Sequence, residues 1–172
     1  MTSLLEPRSK RWNLLVAPSP KQMLIAIARL AHVTPLTVLD CGRRFDSSIV
    51  ARAARGRQEV IDNVRIQRAF TCFEAARLLE QKRLEAAPIV VLDFLSTFYD
   101  ENVKPGVRKF LLEHALHRFH RLGQGAGLAV SVYAPAAMDD DSLSLFERLQ
   151  SAAPTVSSYT LSEQGTSQPG LF

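Results

Sequence analysis

Short apolar runs alternate along the chain with longer stretches whose apolar residues recur every three or four positions. The run Trp12-Asn13-Leu14-Leu15-Val16-Ala17 reads as a buried strand, stopped by Pro18 and Pro20. Lys21 to Ala31 reads as a helix with Met23, Leu24, Ile27 and Leu30 facing inward. A second strand, Leu36 to Leu39, ends at Asp40-Cys41-Gly42. Asp46 or Ser47 then caps a helix running to Gly56, and Val64-Arg65-Ile66 forms a short third strand. Thr71 caps a helix through Leu84, and Pro88 opens the strand Ile89 to Leu92, which ends at Asp93. A long helix from Gly106 to Leu122, closed by Gly123, leads to a strand from Gly127 to Tyr133. A helix over Asp141–Ser151 and a strand at about Thr155–Leu161 complete the pattern.

Spacers of helix length are too long for hairpins and suit crossovers between parallel strands. The strand runs are nearly continuous in apolar character, as strands covered on both faces require. The pattern predicts an α/β fold: an open, mostly parallel sheet of five or six strands with helices on both sides. Ligands of such sheets sit at the carboxyl ends of strands. The segments to inspect are therefore Pro18 to Lys21, Asp40 to Arg44, Asp93 to Tyr99 and Tyr133 to Met138.

The 172 residues suffice for one domain, and 47% hydrophobic content supplies a core without disulfides or metals. No apolar stretch is long enough to span a membrane, and Met1 to Trp12, with no apolar h-region and no cleavage site, is not expected to act as a secretory signal. Cys41 and Cys72 alone make neither a disulfide framework nor a zinc site. A reducing, cytoplasmic setting is expected, nucleoid-associated in a bacterium or nuclear in a eukaryote. His114, His117 and His120 are spaced by three and three, which spreads their rings around a helix and does not suit a metal. Ser19, Ser96 and Ser131 lack His/Asp partners for nucleophilic catalysis, and Cys41 reads as a small buried residue.

Charge is unevenly distributed. Residues 1–138 hold 20 Lys+Arg against 12 Asp+Glu, whereas residues 139–172 hold one Arg against five acids. Seven arginines lie between Arg43 and Arg68. A solvated face and nucleic-acid contact both explain such a run. Under the second reading, Arg43 and Arg44 with Lys104, Arg108 and Lys109 are the candidate DNA contacts.

The first strand-to-helix turn puts Lys21 where a phosphate-binding loop has its lysine. Leu15 and Pro20 replace the two glycines, and Gln22 replaces the hydroxyl residue. Pro18 and Pro20 also remove two N–H donors. Four apolar residues followed by Asp93 have the form of a Walker B strand, whose Asp holds the water shell of Mg²⁺. No glutamate follows the second strand to orient an attacking water; Asp40 is the only carboxylate there.

In order and spacing, these pieces resemble the RecA/RadA recombinase superfamily, particularly the recombinase paralogues of archaea and eukaryotes. The likeness rests on the degenerate loop with Lys21, on Asp40-Cys41-Gly42-Arg43-Arg44-Phe45-Asp46, on Arg65 to Thr71, on Ile89 to Tyr99, and on Gly127 to Tyr133. It implies a single RecA-like three-layer domain over residues 12–161, after an N-terminal segment (1–11); the polar, Ser/Thr/Gln/Gly/Pro-rich composition from Thr160 to Gly170 makes residues 162–172 read as a flexible tail. The chain has no room for the family's N-terminal domain. Of the family's two DNA-binding loops, the first corresponds to Asp100–Arg108 and the second to Ala134–Asp141, which is short and acidic. The resemblance implies a recombination, repair or damage-tolerance setting and a vestigial nucleotide site at Lys21 and Asp93. It does not imply strand exchange. A non-hydrolysing accessory or scaffold protein, working through a repair or recombination partner, with or without weak, salt-sensitive DNA binding, and without a cofactor, is the leading expectation. The alternative is an atypical subunit that binds or hydrolyses ATP with Mg²⁺ through Lys21 and Asp93, its site completed by a partner. A plain α/β module without a nucleic-acid role is the third reading.

The last five residues, Gln168-Pro169-Gly170-Leu171-Phe172, resemble the pentapeptide that docks bacterial proteins onto the replication sliding clamp. Leu171 and Phe172 would anchor in an apolar pocket, and Gln168 would add a directional hydrogen bond.

Overall fold

A computed structural model of the chain describes residues 11–83, 87–136 and 139–159. The strands are β1 (Trp12–Val16), β2 (Leu36–Asp40), β3 (Val64–Arg68), β4 (Ile89–Leu92), β5 (Leu128–Val132) and β6 (Thr155–Ser158). The helices are α1 (Pro20–Ala31), α2 (Ser47–Ala53), α3 (Gln58–Asp62), α4 (Cys72–Glu80), α5 (Pro105–Gly123) and α6 (Asp140–Ala152), with a 3₁₀ helix over Phe94–Tyr99. One six-stranded sheet results, in the order β3-β2-β4-β5-β1-β6, with every neighbouring pair parallel. Helices flank it on both faces, an arrangement consistent with a single three-layer RecA-like domain.

Strand pleating explains why the apolar runs were continuous. Leu14 and Val91 face one core and their neighbours Leu15 and Val90 the other. The first core gathers Trp12, Phe94, Phe98, Phe119 and Leu149 beneath the 3₁₀ helix and α4, α5 and α6. The second packs Met23 and Ile27 of α1 with Val38, Val50 and Val60 of β2, α2 and α3. Within the first core, Trp12 is fully buried, lies 5.2 Å from the Phe119 ring, and donates its indole N–H to His120 Nδ1 at 3.3 Å. Gly123 is required there: a Cβ would come within 2.8 Å of the Trp12 backbone N.

Caps fall where side-chain chemistry places them. Ser19 accepts from the Gln22 N–H ahead of α1, Asp46 from Ser48 ahead of α2, and Thr71 from Glu74 ahead of α4. The helix expected to run to Gly56 stops at Ala53, because Arg55 and Gly56 adopt left-handed φ values of 53° and 71°. The five-residue α3 then occupies a stretch that the hydropathy pattern left unassigned. Helix α4 ends at Glu80, short of Leu84, which lies outside the described residues along with Leu161. The tail positions Gln168, Leu171 and Phe172 also lie outside them. No helix among the described residues is long and apolar enough to cross a membrane.

Candidate functional site at the carboxyl edge of the sheet

Strands β1, β2 and β4 each hand the chain to a residue in a left-handed conformation at or near the carboxyl edge. These are Ala17 (φ 55°), Arg43 (φ 55°) and Asp93 (φ 52°). Non-glycine residues adopt this region at a cost, so three of them at one edge mark a backbone held by its surroundings. The loop after β1 is tied to β5: the Ala17 N–H donates to Val132 O at 2.8 Å, and the Tyr133 hydroxyl donates to Pro18 O at 2.6 Å. Pro18 and Pro20 have no N–H, and the Ser19 hydroxyl oxygen is engaged as a cap. Lys21 is exposed at the start of α1 and makes no ion pair among the described residues.

Asp93 is 4% exposed at the end of β4. Its N–H donates to Ser131 Oγ at 3.0 Å, which locks β4 to β5 at this level. Its carboxylate faces Arg44, whose Nε lies 3.0 Å from Oδ2. The Arg44 guanidinium also sits 4.6 Å above the Tyr133 ring. The Tyr99 hydroxyl donates to Tyr133 O at 3.0 Å, so both phenols brace the arginine's platform. Burial pushes the Asp93 carboxyl above its ordinary range, and Arg44 opposes that rise. Burial likewise pushes the Tyr133 phenol up to about 12. The close approach depends on Gly42, where a Cβ would stand 2.3 Å from Asp93 Oδ2.

Asp40, 1% exposed, organises the same loop. Its carboxylate accepts from the N–H groups of Arg44 at 2.9 Å and Phe45 at 3.1 Å, and Arg68 Nε lies 3.5 Å away. Its oxygens are therefore committed to backbone and guanidinium donors rather than to a water molecule. Behind the loop, burial first and then the charges of Asp40 and Asp93 push the Cys41 thiol far up, which makes it inert as a nucleophile.

Lys21, Arg43, Arg44 and Arg68 line one cleft of about 700 Å³ between the start of α1 and the ends of β2 and β3. Leu24, Phe45, Ile49 and Ile66 give it apolar walls, and Asp46 is the only acid on its lining. Asp93 is screened from this space by Arg44. Lys104 and Lys109 are exposed at the start of α5 and do not line the cleft, so the structure does not unite them with Arg43 and Arg44.

Arg108 corrects the sequence reading. It is 4% exposed and donates through Nη1 to Phe98 O at 3.2 Å, so it cannot meet a phosphate backbone. The basic run from Lys104 to Lys109 concealed this, because position 108 falls on the inward face of α5. His114 pairs with Glu80 and His120 accepts from Trp12; no cluster of three or more metal-ligating side chains occurs among the described residues. Arg44, Tyr99 and Tyr133 lay inside the strand-end segments singled out from sequence, but their mutual contact did not show there. Arg68 and Phe70 fell within the Arg65 to Thr71 segment noted from sequence, but neither was read as a site residue; the Phe70 ring lies 5.5 Å from the Arg43 guanidinium. Compared with known proteins, the chain matches no family model and no curated protein.

Proposed function

We propose that the protein is a non-hydrolysing RecA-like accessory or scaffold protein of DNA recombination, repair or damage tolerance. The observation that carries this reading is the Arg44–Asp93 pair. In a working site of this kind the aspartate end of the Walker B strand faces hydrated Mg²⁺. Here that carboxylate is already met by a fixed cation stacked on Tyr133. Admitting a divalent ion would set it against the Arg44 charge or require the arginine to leave both partners. The loop before Lys21 adds no compensation: two of its residues lack N–H groups, and a triphosphate there would be held by one lysine. Asp40, the nearest carboxylate to a water-orienting base, is buried beneath three donors.

What remains is a rigid edge suited to binding. The strand order fits the same reading: β5 lies between β1, which leads through a short loop to Lys21 of α1, and β4, which runs into Asp93, and the parallel strands put both at one edge of the sheet. The protein works through a recombination or repair partner, with the C-terminal Gln168, Leu171 and Phe172 as the docking element for a sliding clamp. Calorimetric titration with Mg²⁺·ATP tests the vestigial site. No binding is expected up to millimolar nucleotide. Micromolar binding that Lys21→Ala removes would overturn the reading in favour of an ATP-binding subunit. Capture of a sliding clamp by the full chain, lost on Leu171→Ala, tests the tail.

A further inference from the structure

Helices α4 and α5 lie side by side and bury their inner sides in the core that holds Trp12 and Phe119. Each leaves the carboxyl end of one parallel strand and leads to the start of the next, so the two run in the same direction. Their later turns are fixed against each other: His114 pairs with Glu80, and Arg118 donates through Nε to Leu79 O at 3.2 Å. Seven residues make nearly two full turns and bring a helix back to the same side. Seven before Glu80 stands Phe73, and seven before His114 stands Val107. Phe73 and Val107 therefore border the same seam, near the start of both helices. Phe110 stands one turn after Val107 on the outer side of α5, opposite the buried Leu112, Ala115 and Phe119.

The fold leaves these three side chains bare. Phe110 is 70% exposed, Phe73 52% and Val107 36%. Folding gives no reason for an aromatic ring in the middle of a helix's solvent face, so the stripe calls for a partner. The cations around it are unspent as well. Arg77 on α4, Lys104 before α5 and Lys109 on α5 are exposed and make no ion pair among the described residues. Most carboxylates near them are engaged: Glu80 by His114, Glu113 by Arg148, Glu74 by the Phe70 N–H and Asp100 by the Asn102 N–H. Glu101, in the turn ahead of α5, is the exception.

We infer that the seam at the start of α4 and α5 docks an amphipathic helix of a partner protein. The apolar stripe of that helix covers Phe73, Val107 and Phe110, and acidic residues along its flanks face Arg77, Lys104 and Lys109. The surface selects this occupant. Main-chain groups along the sides of α4 and α5 are bonded within each helix, so an extended segment finds no edge to pair with. A helix brings its own backbone bonds and lays a ridge of side chains along the seam. A second copy of the chain, joined through the same patch, would set Arg77, Lys104 and Lys109 against their own counterparts. Acidic flanks answer those charges and fix the helix in register. The inference goes beyond the vestigial-site reading and does not rest on it, since neither Lys21 nor Asp93 takes part.

Fluorescence anisotropy with the full chain and a labelled synthetic helix tests it. The probe is an amphipathic peptide of about 18 residues, with leucine at every third or fourth position and glutamate along both flanks. Binding is expected with a Kd of roughly 1–50 µM, as for a short segment ordered on docking. Phe110→Gln and Phe73→Gln should each weaken it about tenfold, because central apolar anchors carry the energy. Val33→Gln, at an equally bare side chain between α1 and β2, should leave it unchanged. A peptide with glutamine in place of glutamate should bind about threefold to tenfold more weakly at low salt, and the gap should close towards 1 M salt and in Arg77→Gln/Lys104→Gln. All these substitutions are at exposed side chains, and circular dichroism verifies that the variants fold. No saturable binding by roughly 200 µM protein would overturn the inference. So would binding that Val33→Gln weakens as much as Phe110→Gln, or equal affinity for the glutamate and glutamine peptides. Displacement of the bound peptide by oligothymidylate would refute it in favour of a nucleic acid, and dimerisation in sedimentation, lost in Phe110→Gln, in favour of a second copy.

Discussion

Replacing Arg44 with Met removes the cation from Asp93 while keeping an apolar stem near Tyr133. The Asp93 side chain is 6% exposed and has no other side-chain partner in the described structure, so the variant leaves a buried charge without compensation. Breaking a fully buried pair costs about 3–5 kcal/mol. The Arg44 side chain is 42% exposed, so water entering its place screens part of this, and about 1–3 kcal/mol is the appropriate range. For a chain of this size that is a fall in Tm of roughly 3–10 °C. The effect depends on pH with a definite sign. Burial raises the Asp93 pKa in the fold, so the folded chain holds that proton to a higher pH than the unfolded chain does. The folded state is unburdened below the ordinary carboxyl value of 3.8 and is penalised as pH rises through the raised folded value. Losing Arg44 raises that value further and enlarges the penalty. Thermal melts of both proteins should therefore nearly coincide at about pH 4 and separate most at about pH 8. Adding Asp93→Asn should recover most of the loss, because the amide needs no counter-charge. Equal stability at pH 8, or a loss of the same size at both pH values, would refute the reasoning.

The remaining expectations concern the site's supports. Gly42→Ala should cost about 1–3 kcal/mol in chemical denaturation, because its Cβ would overlap Asp93 Oδ2 and displace the carboxylate from Arg44. Arg108→Ala should destabilise by about 1–3 kcal/mol, through the unsatisfied Phe98 carbonyl, while leaving the salt dependence of any oligonucleotide complex unchanged. Both thiols should resist a disulfide reagent at pH 8 in the native protein and react on unfolding, since burial raises Cys41 and Cys72 alike.

The sheet was legible in the sequence because parallel strands covered on both faces carry their signal in four or five consecutive residues. Ile89–Leu92 and Leu128–Val132 are buried along their whole length, and no partner is needed to recognise them. Edge strand β6 is exposed at all four positions and was placed less closely for the same reason. Helix α3, with one buried residue in five, has too few turns for a periodicity. The positions of Lys21 and Asp93 followed from motif spacing. The neutralisation of Asp93 did not, because Arg44 reaches it across 49 residues through the pairing of β2 with β4. Tyr133 arrives from a third strand. Sequence separation hides such contacts until the strand order is known. Arg108 was misplaced by the opposite effect: its neighbours Lys104 and Lys109 are solvent-facing, and charge alone does not report the helix face.

Phosphate release from Mg²⁺·ATP, measured on the full chain with and without oligothymidylate, tests the central claim most directly. With Arg44 seated on Asp93 and the Asp40 carboxylate engaged by its own donors, release should stay at the no-protein background under both conditions. Steady turnover that disappears in Lys21→Ala and in Asp93→Ala would show that the arginine yields to the metal, and would contradict the account.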